Sequence, residues 1–247
     1  MDLRAVVLSA GMSARLGSPK ALARVRGMTL LGRTLAVVAP LVSSRVIVVL
    51  GPRDARARSQ IARHPAGARV DIIESRQRAQ GLSASVRRAL QGARFSSAVL
   101  LLPVDLALLD RRELGRLIGR WRGARRRVVA RRIGGSGGTP LILPRHLYRL
   151  ALGLSGDVGL RQLMGRLDRQ ELRLLDLPSA LLDVDTPEDL REARRRPSPP
   201  AQVPYQRQAG KSRNAQSAAS ILARGTSRCV TRRVRGATVA RMPRLAR

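Results

Sequence analysis

The run Ala98 to Pro103, AVLLLP, constrains this chain more than any other stretch. It offers no polar face, so as a strand it must be covered on both sides, as in the centre of a parallel sheet flanked by helices. Leu3 to Leu8 reads as a first buried strand, and Val46 to Leu50 (VIVVL, closed by Gly51-Pro52) as another. Val70 to Ile73 and Val128 to Ala130 add two shorter ones. Helical spacing fills the intervals. Leu30, Leu31, Leu35, Val38 and Leu41 form one face over residues 29–41, and residues 54–63 read as a polar helix. Two further helices are expected, one N-capped by Ser83 and running to about Ala93, one from Asp110 to Trp121. Strands alternating with helices predict an α/β domain with a mainly parallel sheet.

The first strand delivers LSAGMSARLGSPKAL, residues 8–22. Gly11 and Gly17, with the small residues Ser9, Ala10 and Ser13, let backbone come close to a ligand. Consecutive N–H groups there make a concave donor surface suited to phosphate oxygens. Arg15 and Lys20 set positive charge beside it. Of 48 basic residues only Lys20 and Lys211 are lysine, so a lysine in this loop points to a compact ammonium rather than a planar fork. The spacing is neither GxxxxGK[ST] nor GxGxxG, which sets aside a P-loop and a dinucleotide-binding oxidoreductase. Asp105 follows AVLLLP at the carboxyl end of its strand, the side on which open α/β sheets bind ligands. A hard carboxylate beside a phosphate loop suits Mg²⁺; the alternative is a cap for the next helix. In LLDVDTPEDL, Asp183 and Asp185 share one face of a strand-like segment, and Pro187 opens a helix. The glycine cluster from Gly134 to Pro140 reads, alone, as a flexible loop. His146 reads as a surface residue at a helix start, and His64 as a loop residue with no partner in sequence.

The order LSAGMSARLGSPKAL resembles the LAAGxSxRxGxxKxLL signature of nucleotidyltransferases of the molybdenum-cofactor cytidylyltransferase and guanylyltransferase group. Later segments fit the same family, and together they cover residues 1 to about 194. QGLSAS resembles its QGLxxSV segment. PVDLALL resembles (P/G)xDxP, with Ala107 where the proline is expected. GGSGGTP resembles GxxGHPxL, with Thr139 in place of the frequent His. SGDVGLR resembles GDxGxR, and DVDTPED resembles DIDTPED. The resemblance implies a Rossmann-like three-layer sandwich of the nucleotide-diphospho-sugar transferase type and Mg²⁺-dependent nucleotidyl transfer. It assigns Ser9, Ala10, Gly11, Met12, Ser13 and Gly17 to the nucleotide, with Gly81 and Ser83 at its base. It gives Lys20, Arg15 and Asp105 catalytic roles. Asp105 and Asp185 would hold Mg²⁺, with Asp183 behind them. Gly138, Thr139, Pro140 and Arg161 would meet the acceptor, while Asp157 caps a helix. CTP is the implied donor and molybdopterin the implied acceptor. Related enzymes use sugar phosphates, methylerythritol phosphate or phosphocholine, and the guanylyl branch tends towards Asn in its closing segment.

Charge raises a rival reading. A net charge of +32 invites a nucleic-acid partner. Yet all 16 acidic residues precede Arg196, so the last 52 residues are purely basic and inflate the total. Aromatic content of 2% leaves few rings for base stacking. Residues 1–195 are therefore expected to form the nucleotidyltransferase domain and 196–247 a basic, Pro/Arg-rich disordered tail. That tail is either the one route to nucleic acid or an extension without function. The single Cys229 excludes an internal disulfide and a thiolate metal cluster. With no run of ~18–20 apolar residues and no signal-peptide pattern, a cytoplasmic protein without membrane contact is expected. The rival from another class is a non-catalytic module that keeps the nucleotide fold and binds nucleic acid through its tail. Mg²⁺-dependent pyrophosphate release, or the salt slope of any DNA affinity, separates the two.

Overall fold

A computed structural model describes residues 2–11, 13–76, 82–153 and 159–197. These fall in one compact unit, Met1–Arg207. The expectations for Met12, Gly81, Asp157 and the tail from residue 198 lie outside the described residues.

Nine strands and seven α-helices are described. In chain order the first half comprises β1 (Leu3–Leu8), β2 (Arg24–Val25), β3 (Met28–Thr29), α1 (Leu30–Val38), β4 (Val46–Leu50), α2 (Ala55–Arg63), β5 (Val70–Glu74) and α3 (Leu82–Gly92). The second half comprises β6 (Ala98–Pro103), α4 (Arg111–Arg122), β7 (Val128–Ile133), β8 (Ser136–Pro144), α5 (Tyr148–Leu152), α6 (Gly159–Arg166), β9 (Leu172–Leu175) and α7 (Pro187–Arg195). β2 and β3 pair as a small hairpin, and the other strands form one sheet in the order β5-β4-β1-β6-β8-β7-β9. Its neighbours run parallel except around β8, which is antiparallel to both β6 and β7.

The apolar runs do what their composition demands. Along β6, Ala98, Leu100 and Leu102 enter one core with α1, α2, α4 and α7, while Val99 and Leu101 enter a second with α3, α5 and α6. Alternation along the strand thus feeds both faces of the sheet, and the result is three layers. The three strand ends that carry the site's backbone, β1, β4 and β6, lie side by side and point the same way.

Several expectations are corrected. The glycine cluster is not a loop: it turns at Gly134 (φ +56°) and continues as β8, which carries Gly137, Gly138 and Thr139. Its glycines answer to space rather than mobility. A Cβ on Gly137 would stand 3.1 Å from Met164 and 3.2 Å from Ala130, and one on Gly138 2.2 Å from Ile133. The strand expected at 128–130 accordingly runs on to Ile133. Residues 181–185 form no strand of their own; Asp183 makes one isolated β-bridge with Leu106. Ser83 is not an N-cap, since α3 begins at Leu82. Asp110 does cap α4, accepting from Arg112 N at 2.7 Å and Glu113 N at 3.1 Å. Glu113 does not complete a box with that cap; its carboxylate accepts from Ser179 N and Oγ instead. β9 and the β2–β3 hairpin carried no distinct sequence signal.

Candidate active site

The loop after β1 is shaped by two left-handed residues. Ser13 (φ +53°) and Gly17 (φ +70°) bracket a single turn of 3₁₀ helix, Ala14–Leu16. Ser13 Oγ accepts from the backbone N–H of Lys20 at 3.0 Å, closing the loop on itself. A second 3₁₀ turn, Lys20–Leu22, then aims the lysine back across the ends of β1 and β6. Lys20 is 17% exposed in its side chain.

That lysine meets two carboxylates from distant parts of the chain. Its Nζ donates to Asp105 Oδ2 at 2.9 Å and also to Asp185 Oδ1. Arg15 Nη2 donates to the other Asp185 oxygen at 2.8 Å. Asp105 stands in the turn that follows β6, and Asp185 just ahead of α7. Two backbone contacts tie these segments together. Val184 N donates to Asp105 O at 3.0 Å, and Leu106 bridges Asp183. Burial opposes the charge on Lys20, but the Asp105 and Asp185 carboxylates outweigh it and hold its pKa above the ordinary lysine value.

Asp183 is placed differently. Its Oδ1 faces Arg131 Nη1 at 3.3 Å, and the same nitrogen lies 3.4 Å from the carbonyl of Thr139. Burial and the nearby Asp105 push the Asp183 pKa up, against the pull of Arg131. Arg131, 5% exposed on β7, so links the glycine-rich strand β8 to the acidic segment.

A cleft of about 790 Å³ opens over this cluster. Ser9, Ala10, Gly11, Ser13, Arg15, Lys20, Asp105 and Asp185 line it together. Gly17 shapes the loop without lining the cleft. On α3 the lining residue is Ser85; Ser83 is buried, with Arg87 Nη1 3.5 Å from its hydroxyl. Gly138, Thr139 and Pro140 lie on β8 outside the lining, and Arg161 lies on α6. Arg53 and Arg56, at the start of α2, form a wall that sequence did not single out. Their only signal was position: they follow β4 at its carboxyl end. His64 accepts from the N–H of Ala66 at 3.1 Å through Nδ1, so it closes a turn.

The donor set decides whether a divalent cation fits. One oxygen each of Asp105 and Asp185 already faces a single cationic centre, the Lys20 ammonium. Two hard carboxylates are what Mg²⁺ takes from protein when substrate phosphates and water complete its shell. Among the described residues no group of three or more His, Cys, Asp or Glu side chains converges on a metal position. The residues fit a metal that arrives with phosphates better than a closed protein cage.

The family described as MobA-like NTP transferase domain matches residues 5–171. A crystal structure of Rv0371c from Mycobacterium tuberculosis H37Rv is similar over 80% of this chain and 100% of its own, with 29% identity and a TM-score of 0.65. A second structure of that protein, a complex with manganese, is similar over 78% and 98% with 27% identity and a TM-score of 0.61. A nucleotidyl transferase from Methanothermobacter thermautotroptrophicus shares the fold at 22% identity, covering 78% of this chain and 96% of its own with a TM-score of 0.64. No curated protein matches the chain significantly.

Proposed function

The chain belongs to the MobA-like NTP transferase domain family and is an enzyme of the nucleotidyltransferase type; from that premise we propose that it transfers CMP from CTP to molybdopterin cofactor, releasing pyrophosphate. The observation that carries this reading is the convergence of Asp105 and Asp185 on one cationic position beside a loop of backbone donors. Backbone N–H groups between Ser9 and Gly17 bind the triphosphate oxygens, as such loops do. Lys20 and Arg15 turn from the carboxylates to those oxygens and screen the charge that builds on the leaving pyrophosphate. Asp105 and Asp185 would hold Mg²⁺, which when bound neutralises charge on the α-phosphate. The acceptor's phosphate, held from the Gly138–Pro140 strand and Arg161, attacks the α-phosphorus in line. A bond forms from its oxygen to that phosphorus, and the bond to the β-phosphate bridging oxygen breaks. The attacking oxygen is already anionic, so no general base is required and catalysis rests on positioning and fixed charge.

One observation favours a second donor. Arg53 and Arg56 make no ion pair among the described residues, and arginine pairs well with the O6 and N7 acceptors of guanine. GTP is therefore the alternative nucleotide, and a sugar phosphate the alternative acceptor.

The test is pyrophosphate release with Mg²⁺, comparing CTP, GTP, ATP and UTP with molybdopterin present. Release with CTP is expected, falling on the order of 10²–10³-fold in Asp105→Ala, the scale of losing an electrostatic stabiliser. Release with another nucleotide or acceptor would keep the chemistry and replace the substrates. Folded protein that releases none with any pair would sink the reading in favour of a non-catalytic binding module.

A further inference from the structure

Helix α1 buries every residue from Leu30 to Val38, and one of them is an arginine. Arg33 is 4% exposed. Among the described residues it makes no ion pair, and its Nη2 is buried without a hydrogen-bond partner. Burial and the neighbouring Arg26 guanidinium press its pKa below the usual arginine value. A buried charge without a counter-ion is expensive, and an apolar side chain of the same length would sit in this helix at less cost. Stability alone therefore gives no reason for an arginine here.

A hydrogen bond supplies one. Arg33 Nε donates to the carbonyl of Ala107 at 3.0 Å. Ala107 lies in the turn after β6, two residues beyond Asp105. Upstream of the carboxylate, the turn is pinned by Val104 N donating to Leu8 O at 3.1 Å. Asp105 itself is tied through its carbonyl to Val184 N. Downstream, where the family pattern has a proline to stiffen the chain, this sequence has alanine. The side chain that reaches the turn from another element at that point is Arg33. It is not among the residues that line the cleft, and among the described residues it makes no hydrogen bond or ion pair with Lys20, Asp105 or Asp185.

We propose that Arg33 is a positioning residue which, through the Ala107 carbonyl, holds the turn that presents the Asp105 carboxylate. The inference rests on the reading of Asp105 as a metal ligand. The charge is incidental and the Nε–H is the working part, so a donor at the same distance along the side chain suffices. Glutamine places its Nε2 the same number of bonds from Cα as arginine places Nε. Methionine has the same length and no donor.

The experiment measures Mn²⁺ affinity by titration with electron paramagnetic resonance of the free ion, on the full chain without nucleotide. Steady-state kinetics follow with the best nucleotide pair. Arg33→Met is expected to weaken Mn²⁺ binding and lower kcat, each about tenfold, with KM for the nucleotide little changed and the melting temperature not reduced. Arg33→Gln is expected to stay within about twofold of wild type in Mn²⁺ affinity, kcat and KM. Arg33→Lys keeps the charge but moves its donor one bond farther out. It is expected to fall between them, and remains informative should Arg33→Met fail to fold. Wild-type Mn²⁺ affinity in Arg33→Met, an equal loss in Arg33→Gln, or wild-type behaviour in Arg33→Lys would each overturn the proposal. Asp105→Asn is run beside them. If it loses Mn²⁺ affinity while Arg33→Met does not, the positioning role falls and the metal role of Asp105 stands. If Asp105→Asn binds Mn²⁺ like wild type, both fall.

Discussion

At the scale of single residues, Lys20 occupies the place that a divalent ion would contest. Its ammonium is shared by Asp105 and Asp185, and Arg15 covers the remaining oxygen of Asp185. On the proposed roles, free metal must displace a bonded cation, whereas a nucleotide carrying metal offers Lys20 new anionic partners. Lys20→Met is therefore expected to act in opposite directions on two readouts. Mn²⁺ binding to the free protein should tighten on the order of tenfold, about 1.4 kcal/mol. Turnover should fall on the order of 10²-fold for loss of a fixed charge on the phosphates. Looser Mn²⁺ binding in the variant would show that the lysine assists the metal rather than competing with it. These residues were legible because each stands where a local pattern ends: Lys20 closes the glycine loop, Asp105 follows the strongest apolar strand, and Asp185 precedes a proline-led helix. Arg33, Arg131, Arg53 and Arg56 were not. In a chain with 48 basic residues an arginine carries almost no sequence signal; tertiary contact distinguishes Arg33 and Arg131, and a place on the cleft wall distinguishes Arg53 and Arg56.

At the scale of elements, α7 does more than end the domain. Thr186 and Asp189 form a reciprocal cap: Thr186 Oγ1 accepts from Asp189 N at 3.2 Å, and Asp189 Oδ2 accepts from Thr186 N at 2.8 Å. The same Asp189 oxygen accepts from Asp185 N at 3.0 Å, so the cap also fixes the backbone of the acidic residue at the cleft. Thr186→Ala is expected to cost about 1 kcal/mol of stability in thermal or urea melts. The Thr186 hydroxyl and the N–H groups of Asp185 and Thr186 hold the Asp189 pKa below its ordinary 3.8. A carboxylate depressed in the folded state stabilises above its unfolded value and loses that contribution as pH falls through the folded one. Melting temperature should thus drop as pH goes below about 4, and Asp189→Asn should flatten that drop. An unchanged acid limb in the variant would assign it to other carboxylates. The sequence announced this helix through TPED. The glycine-rich hairpin misled because glycine has two uses. Composition cannot tell a mobile loop from a strand that must pass close to Met164 and Ile133.

At the scale of the molecule, the alternation of buried strands and helices was enough to predict a parallel α/β sheet with cover on both faces. The antiparallel β8 was beyond reach, because its pairing depends on which strands become neighbours rather than on its own residues. No described helix is long and apolar enough to cross a membrane. The segment from residue 198 contributes 11 of the basic residues and no acidic one. Ending the chain at Pro197 is expected to leave the melting temperature within about 2 °C and the pyrophosphate-release rate within about twofold, since 80% of this chain suffices to match the whole of a similar solved chain. It should also remove most of any salt-sensitive DNA affinity. A large loss of activity on truncation would give that segment a part in the reaction.

The contact between Lys20 and Asp185 joins positions 165 residues apart. Synthesis on a ribosome at about 5–20 residues per second separates their appearance by roughly 8–33 s. During that interval the nucleotide loop exists without its second carboxylate. A nascent or truncated chain can therefore shelter the glycine loop and β1, yet lacks the arrangement that would put a triphosphate at risk of unproductive cleavage. If Asp185 acts as proposed, chemistry becomes available only when the last helix has docked, so competence for the reaction doubles as a report that the domain is complete.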